Sequence, residues 1–370
     1  MRFDALVIGA GPAGAAAARL LAAGGRRVAL VEKDEFPRRK VCGEFLSTPT
    51  HAVLDACGVG AAFRDRAGPM VRRIGLFSGE TVVTAKQQRD WGRALGREHL
   101  DTLLRDAAVA AGAKLFQPAE LVALRQGGAD YHGRLKTGEE IAAPIVIADA
   151  GSWRVKPPLA VTAPEKPSDL FAFKAHFSGG ALAPGLMPLL AFPGGYGGLV
   201  QCDGGRLSLS CCIRRDVLAA IRRPGESAGE AVLRHIAAST RGVAAALDGA
   251  APAGPVLAVG PIRPGIRRRF DGGIFFAGNL AGEAHPVIAE GISMAIQASH
   301  LLVRLLLEQG AAAGPAYAAG WRRAFGPRLW AASLFARAAI HARAPATALV
   351  KAAPSLLTWG AALSGKEGSG

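Results

Sequence analysis

Apolar positions in the first part of the chain form two short runs, separated by a stretch of small residues. Residues 4–9 make a β-branched apolar run of the kind buried in a parallel sheet. The Ala/Leu-rich stretch that continues to Leu21 predicts a helix, and Gly24 and Gly25 end it. Residues 28–31 predict a second strand, which ends at Glu32. The pattern therefore predicts a βαβ unit.

Three glycines occupy the turn between the first strand and the helix, in the pattern G-x-G-x-x-G. We expect Gly9 to make the tight turn, Gly11 to let the backbone approach a pyrophosphate, and Gly14 to let the helix pack closely on the strand. The helix N-terminus then offers N–H groups and a favourable dipole to the negative charge. Glu32 is placed to accept hydrogen bonds from ribose hydroxyls. The unit predicts a site for an adenine dinucleotide, and this motif alone does not separate FAD from NAD.

A second glycine-rich corner lies late in the chain. Residues 273–279 predict a short strand and a turn, and a helical pattern runs from about Gly291 to Leu307. This segment resembles the late flavin-contacting motif G-D-x-A-x-x-x-x-P-x-x-x-E/Q-G of the para-hydroxybenzoate hydroxylase fold, especially its geranylgeranyl reductase and halogenase-like branch. Motifs of that branch also resemble R-R-K-V-C-G-E at 38–44, R-E-H-L-D-T-L-L at 97–104 and F-P-G at 192–194.

The resemblance covers most of the chain and implies an FAD stretched between the two corners. N–H groups at the start of the late helix would stabilise negative charge on the reduced flavin. Two positions depart from the family pattern, because Asn279 replaces an aspartate and Ala150 replaces the glycine of the middle D-G motif. The expected cofactor-binding residues are Gly9, Gly11, Pro12, Ala13, Gly14, Glu32, Lys33, Arg38, Lys40, Cys42, Arg97, Asp149, Gly278, Asn279, Glu290, Gly291 and Ile292.

A nicotinamide site of its own is not expected. No second G-x-G-x-x-G stands in a strand-helix-strand setting, because the glycines at 194–198 and 272–273 lack a following helical pattern. NAD(P)H would therefore bind transiently over the flavin as electron donor, or a partner reductase would supply the electrons.

These patterns predict an α/β protein with a Rossmann-type, glutathione reductase-like FAD-binding domain, an inserted antiparallel-sheet substrate domain and a helical C-terminal cap. Alternation in residues 71–85 and 171–213 predicts one antiparallel sheet above the flavin. The expected boundaries are 1–71, 96–152 and 261–307 for the FAD-binding domain, 72–95 and 153–260 for the substrate domain, 308–365 for the C-terminal helices, and 366–370 for a disordered tail.

Length and composition place the chain among globular proteins. Half of its 370 residues are apolar, and its five cysteines follow neither a disulfide framework nor a paired zinc spacing. We therefore expect reduced thiols, no bound metal and a cytoplasmic location. No export signal precedes the first strand, and prolines and glycines interrupt the long uncharged stretch at 177–202, so we expect no transmembrane helix.

The net charge of +15 admits several partners. An arginine-rich solvated surface is the simplest interpretation, and attraction of an anionic ligand is another. Between residues 321 and 343, however, aromatic and aliphatic residues are interleaved with arginines, as in an interfacial helix. This pattern raises peripheral contact with the inner membrane surface as a hypothesis. Nucleic acid is not expected, because no binding module is recognisable.

Three residues are candidates for the chemistry. The resemblance places the loop of Cys42 and Glu44 beside the flavin and substrate, where a thiol would donate a proton or orient the substrate. The alternative is a half-buried small residue before a glycine turn. His285 lies in the late corner and is a candidate acid or base, with a hydrogen-bonded loop histidine as the alternative. Arg38, Lys40 and Arg97 are expected to clamp ribose or phosphate oxygens, with ordinary salt bridges as the alternative.

The first hypothesis for function is an FAD-dependent monooxygenase. It would hydroxylate an apolar, aromatic or polyketide-like substrate through a flavin C4a-hydroperoxide, and residues 184–199 would form an apolar pocket wall. The second hypothesis is reduction of isolated double bonds, as in geranylgeranyl reductases. A third is a flavin-binding protein whose changes at Asn279 and Ala150 mark lost catalysis. A halogenase is disfavoured because the W-x-W-x-I-P motif is missing from the sequence.

Overall fold

The computed structural model describes residues 1–86, 88–151 and 166–366. Ser152, at the predicted domain boundary, and residues 367–370 of the predicted tail lie outside the described residues. The helices of the described part are α1 (Pro12–Ala23), α2 (Thr48–Ala56), α3 (Gly60–Arg66), α4 (Arg97–Ala110), α5 (Arg215–Ile221), α6 (Ala228–Ser239), α7 (Arg241–Ala246), α8 (Gly291–Gln309), α9 (Gly314–His341), α10 (Arg343–Ala352) and α11 (Ser355–Leu363).

The strands of the same ranges are β1 (Ala5–Ile8), β2 (Val28–Val31), β3 (Phe45–Ser47), β4 (Arg73–Ser78), β5 (Thr81–Thr84), β6 (Gly92–Ala94), β7 (Lys114–Phe116), β8 (Leu121–Gly127), β9 (Asp130–Leu135), β10 (Glu140–Ala143), β11 (Ile145–Ala148), β12 (Leu170–Ser178), β13 (Leu186–Phe192), β14 (Gly195–Gln201), β15 (Leu207–Arg214), β16 (Ala251–Pro252), β17 (Leu257–Ile262), β18 (Gly265–Ile266), β19 (Phe270–Asp271), β20 (Ile274–Phe276) and β21 (Gly282–Glu283).

The predicted βαβ unit forms the centre of a sheet with the strand order β19-β20-β11-β1-β2-β7. β1 pairs in parallel with β2 and with β11, and β19 alone joins antiparallel. Helices α1 and α8 cover one face of this sheet, and the antiparallel sheet β8–β10 covers the other. Because both faces are covered, every residue of β1 and β2 is buried, which explains their continuous apolar sequence. The Rossmann-type prediction is confirmed.

Small residues allow helix α1 to pack closely against its neighbours. The helix begins at Pro12, a residue suited to the first helical position because that N–H has no intrahelical partner. Alanines 15–18 are fully buried between the sheet and helices α4 and α8. The Ser299 hydroxyl on α8 donates a hydrogen bond of 2.8 Å to the Ala13 carbonyl. The helix that starts at the glycine turn is therefore held rigidly in place.

A second, larger sheet has the order β16-β12-β15-β14-β13-β4-β5, and β17 pairs with β12 on the same edge as β16. Residues 71–85 and 171–213 therefore share a sheet, as predicted. The sheet is antiparallel, as predicted, except at one pair, since β4 and β13 run parallel. The chain leaves after β5 to build much of the first domain, and a long excursion of this kind permits parallel pairing where a hairpin does not.

The C-terminal helices pack across both sheets. The chain that follows them is held in place by the contacts of Lys366. This residue is 3% exposed, and its ammonium group lies 3.2 Å from the Glu290 carboxylate and donates to the Ile288 carbonyl. The prediction that the disordered tail starts at Lys366 was therefore wrong for this residue. Its lysine looked like a solvated tail residue because the partner carboxylate lies 76 positions earlier in the sequence.

Within the described ranges, none of the helices combines the length and the apolar character that crossing a bilayer requires.

Candidate functional site

The two glycine-rich corners predicted from the sequence meet in space. Gly9 has a φ of +101°, a conformation that suits glycine, and a Cβ at Gly14 would overlap the Gly9 carbonyl oxygen. At Gly278 in the late corner, an added Cβ would collide with the Asp149 carboxylate and lie 3.6 Å from the Ala13 side chain. The early turn, the end of β11 and the late corner therefore converge at the carboxyl ends of the parallel strands, where ligands of open α/β sheets bind.

Asp149 occupies the junction of these segments. The Gly14 N–H at the start of α1 donates a hydrogen bond of 2.8 Å to its carboxylate. Burial raises the pKa of Asp149 to about 7, although this hydrogen bond and the nearby Arg97 charge favour the ionised form. The N-terminus of α1 thus already binds a carboxylate of this chain, that of Asp149. Because a carboxylate already accepts from the Gly14 N–H at this helix N-terminus, the site suits negative charge, and the residues present fit the diphosphate of FAD.

Glu32 ends β2 beside the glycine turn, where the sequence places it. Its carboxylate is 3% exposed and accepts a hydrogen bond of 2.8 Å from the Ala10 N–H. Arg38 contacts the same carboxylate at 3.0 Å, while Lys33 next to it is exposed. A ribose would therefore share Glu32 with an arginine, a partner that the sequence pattern alone did not indicate. Ribose binding stays a prediction.

The three cations expected to clamp phosphate or ribose oxygens are paired with carboxylates. Arg97 contacts both oxygens of Asp101, at 2.6 and 2.8 Å. Although burial opposes its charge, Asp101 holds the pKa of Arg97 above its usual range. Asp34 binds Arg38 at 2.7 Å and Lys40 at 2.8 Å. The structure therefore favours the salt-bridge alternative for these side chains, whose acidic partners come from α4 and from the loop after β2.

Glu44 was predicted as a catalytic residue; the structure encloses its side chain in protein, and the catalytic role stays a prediction. Its side chain is fully buried between Lys174 and His176, and His176 Nε2 lies 2.8 Å from Oε2. Burial opposes ionisation, but the His176 hydrogen bond and the Lys174 charge together hold the pKa of Glu44 well below its usual range. The carboxylate stays ionised and stabilises a loop whose backbone is left-handed at this residue, with φ +60°.

The Cys42 side chain points towards the FAD-binding domain. Its Sγ accepts a hydrogen bond of 3.4 Å from the Glu44 N–H, and the Arg97 guanidinium lies within hydrogen-bonding reach of the thiol. The side chain also packs against the cluster that contains Ala15 and Ala16 of α1. The loop itself does line a pocket, but through Gly43 rather than through the thiol.

This pocket lies between the loop before β3, strands β13 to β15 of the large sheet and the late corner. The predicted apolar wall at residues 184–199 contributes several of its residues, and none of the lining side chains carries a charge. The lining residues are Gly43, Phe45, Met187, Leu189, Gly197, Gly198, Leu199, Val200, Ser210, Pro286, Val287 and Ala289.

His285 lies at the border of the pocket, directly before Pro286. Its Nδ1 is 3.1 Å from the Tyr196 hydroxyl on β14. Burial and the Arg337 charge lower the pKa of His285 to about 4, and burial raises the pKa of Tyr196 well above its usual range. Both groups are therefore neutral near pH 7. Sequence reasoning missed Tyr196, because a tyrosine among glycines in a strand pattern looks like an ordinary sheet residue.

The late corner keeps space at the start of α8. Ala289 has a left-handed φ of +52°, and a Cβ added at Gly291 would meet no atom within 4 Å. The Glu290 side chain is buried and accepts a hydrogen bond of 3.0 Å from Ser47, so only its backbone can face a cofactor. The Asn279 amide donates a hydrogen bond of 3.2 Å to the Glu283 carboxylate. The residue that departs from the family pattern therefore has a partner within the late corner.

One cluster has metal-ligand chemistry, formed by Glu44, His176 and Cys202, whose ligand atoms lie within 4.8 Å of one another. Lys174 contacts the same carboxylate. Because this ammonium group already neutralises Glu44, the cluster is better suited to a buried salt bridge than to a cation.

Comparisons with known proteins agree with this geometry. Residues 2–160 match the family model described as an FAD binding domain. Menaquinone reductase from Mycobacterium tuberculosis is 36% identical over 123 residues, which cover 33% of this chain and 30% of that protein. Rifampicin monooxygenase from Streptomyces venezuelae is 31% identical over 172 residues, or 45% of this chain and 36% of that protein. The myxobacterial chondrochloren halogenase shares the fold with a TM-score of 0.75, at 20% identity over 88% of this chain and 80% of its own.

The matched segments thus span only about a third of the two curated relatives. The structural match extends over both sheets and covers most of each chain, and it establishes the fold. With the early turn and the late corner joined at Asp149, residues 2–160 match an FAD binding domain within a fold that the chain shares with the chondrochloren halogenase.

Proposed function

We propose that the protein is a monooxygenase that hydroxylates a small apolar substrate of aromatic or polyketide-like character. The observation that carries the proposal is the uncharged lining of the pocket beside the late corner, a space of about 20 Å³ that must widen to admit a substrate, with a neutral histidine at its border. Apolar walls favour an apolar substrate, and the absence of charge among the lining side chains keeps water from being held there.

FAD, when bound, supplies the redox and oxygen-activating chemistry. The turn from Gly9 to Gly14 would hold its diphosphate, and the N–H groups at the start of α8, at Gly291 and Ile292, would stabilise negative charge on its ring system. His285 orients a substrate hydroxyl by accepting a hydrogen bond from it, because its imidazole is neutral near pH 7. Tyr196 holds that ring in position through Nδ1. The rifampicin monooxygenase similarity supports this chemistry.

The test uses the purified flavin-containing protein. It is reduced anaerobically with NADPH and then mixed with oxygenated buffer, with and without members of a panel of alkylphenols. We expect at least one phenol to accelerate flavin reoxidation and to gain one oxygen atom by mass spectrometry. Unchanged reoxidation across the panel, with no oxygen incorporated, would contradict the hydroxylase proposal.

Reduction of a double bond or quinone is the second candidate. It is favoured by the similarity to menaquinone reductase and by the R-R-K-V-C-G-E segment at 38–44. The proton would come from the pair of Tyr196 and His285 or from water, because the Cys42 thiol is engaged with Arg97. Anaerobic turnover of an isoprenoid quinone or a prenyl substrate, with gain of hydrogen and no oxygen, would establish this function.

The electron donor is proposed to be NAD(P)H, bound transiently. Reduction of the bound flavin by NADPH or NADH, monitored as the loss of its visible absorbance, tests this directly. If neither nucleotide reduces the flavin but photoreduction does, a partner reductase supplies the electrons. A flavin that is reduced but never reoxidised by any acceptor would instead support the catalytically impaired alternative.

A further inference from the structure

The outer side of the C-terminal helices exposes large apolar residues. Trp330 is 68% exposed and Leu334 50% exposed on α9, and Trp359 is 60% exposed and Leu363 41% exposed on α11. We call these four residues the outer apolar patch. Each pair is spaced i, i+4, so its two members lie on one face of their helix.

The two pairs lie on the same side of the molecule. A Cβ at Gly360 would meet the Phe335 ring at 3.4 Å, and Gly365 lies against Arg328, so α11 runs antiparallel beside α9. The opposite faces of these helices are buried, through Leu329, Ala332 and Ala336 on α9 and through Leu357 and Ala361 on α11. With both inner faces on the core, the four exposed residues form one outward surface.

Positive charge surrounds this surface. Residues 309–366 contain seven lysines and arginines and not a single aspartate or glutamate. The exposed Arg323 and Arg337 lie on the same side of α9 as Trp330 and Leu334. From Arg323 to Trp330, Leu334 and Arg337 the successive spacings are seven, four and three residues. Apolar and aromatic residues bordered by arginines are typical of helices that lie in the interface of an anionic membrane.

Helix α11 also separates this surface from the pocket. Its buried residues Leu357 and Ala361 share a hydrophobic cluster with Phe45, Met187 and Ala289, which line the pocket. Beside Trp359, an open groove of about 620 Å³ runs along α11, lined by Arg89, Ser355, Leu356, Thr358, Trp359 and Ala362. A single helix thus lies between the outer apolar patch and the pocket.

We propose that the outer apolar patch docks the protein onto an anionic lipid bilayer. Trp330 and Trp359 insert at the headgroup level, and the arginines of α9 contact the lipid phosphates. A second copy of this chain is disfavoured, because it would bring together two copies of the basic segment 309–366, which contains no acid. Nucleic acid would meet the arginines but would leave the leucines and the outward tryptophan faces in contact with a charged backbone. The docking does not depend on which reaction the pocket supports.

The experiment is vesicle flotation of the flavin-containing protein. Vesicles of phosphatidylcholine alone are compared with vesicles that also contain phosphatidylglycerol. We expect binding to the anionic vesicles, a blue shift of tryptophan emission and weaker binding at high salt. The double variant Trp330→Ser/Trp359→Ser should partition roughly a hundredfold more weakly into vesicles, because it lacks the apolar area that each tryptophan would bury in the bilayer. Retained flavin absorbance and an unchanged melting temperature show that the variant is folded.

The matched control is Val109→Ser, which removes an apolar side chain 43% exposed on α4. It should bind vesicles like the unsubstituted protein. Failure to bind anionic vesicles, or undiminished binding by the folded double variant, overturns the proposal. Concentration-dependent self-association that the double variant abolishes, without vesicle binding, would assign the patch to a second copy instead. Binding of DNA in preference to vesicles would likewise overturn it.

Discussion

His285 should make the stability of the folded protein depend on pH in a defined window. In the unfolded chain a histidine titrates near pH 6.5, whereas burial and Arg337 lower the pKa of His285 to about 4 in the folded protein. Between these values the unfolded state binds a proton that the folded state excludes. The free energy of unfolding therefore falls as the pH is lowered from 6.5 towards 4.

The two pKa values set the size of this effect. Linkage gives a loss of roughly 2 kcal/mol from this residue between pH 7 and pH 5, and about 3 kcal/mol once the pH reaches the folded pKa. Urea titrations of the flavin-containing protein at several pH values measure the total pH dependence of the free energy of unfolding. The same series on His285→Asn isolates the contribution of His285. Losing the Tyr196 hydrogen bond costs stability in the variant at every pH, so only the slope is informative.

The variant should show the flatter pH profile, with about 2 kcal/mol less change between pH 7 and pH 5. His300→Asn, at an exposed position on α8, serves as the matched control and should keep the slope of the unsubstituted protein. Parallel profiles for the His285 variant and the unsubstituted protein would refute the argument that His285 is held neutral.

Three further substitutions test the site. Gly14→Ala would place a Cβ against the Gly9 carbonyl oxygen of the same turn. The purified protein should therefore lack visible flavin absorbance, even where circular dichroism shows an unchanged helix content. Glu44→Gln leaves a buried ammonium without its counter-charge and should cost about 3–5 kcal/mol in urea denaturation, whereas Asp90→Asn, in an exposed salt bridge, should cost less than about 1 kcal/mol. Equal losses would contradict the buried-pair argument. Asn279→Asp would restore the family residue but place it 3.2 Å from the Glu283 carboxylate, so FAD affinity by fluorescence titration should fall rather than rise.

The sequence predicted the parts of the site that depend on local pattern. The glycine turn, the strand before it and the helix after it each have their own periodicity, so residues 4–32 could be interpreted correctly in isolation. The late corner was found through its family motif. That Gly278 reaches Asp149 could then be expected, because strands β1, β11 and β20 all end at the same edge of the sheet.

Side-chain partners were not predictable in the same way. Glu44 was a candidate because its loop resembles a family motif, whereas the side chains that contact its carboxylate are two residues of β12. Lys174 and His176 do leave a signal, since they alternate within a strand that is otherwise apolar and therefore lie on one face. Pairing such an isolated cation with a distant acid requires the fold. The same limitation applied to Arg97 and to Lys366.

The position of Lys366 has a consequence for how the protein matures. The late corner, where we propose that the flavin ring binds, uses residues near 290, yet it is completed by an ammonium group supplied from residue 366. The early glycine turn, by contrast, is made by some of the first residues to leave the ribosome. During synthesis the chain would therefore present one half of the cofactor cradle long before the other, and stable loading of the coenzyme would have to wait until residue 366 has emerged.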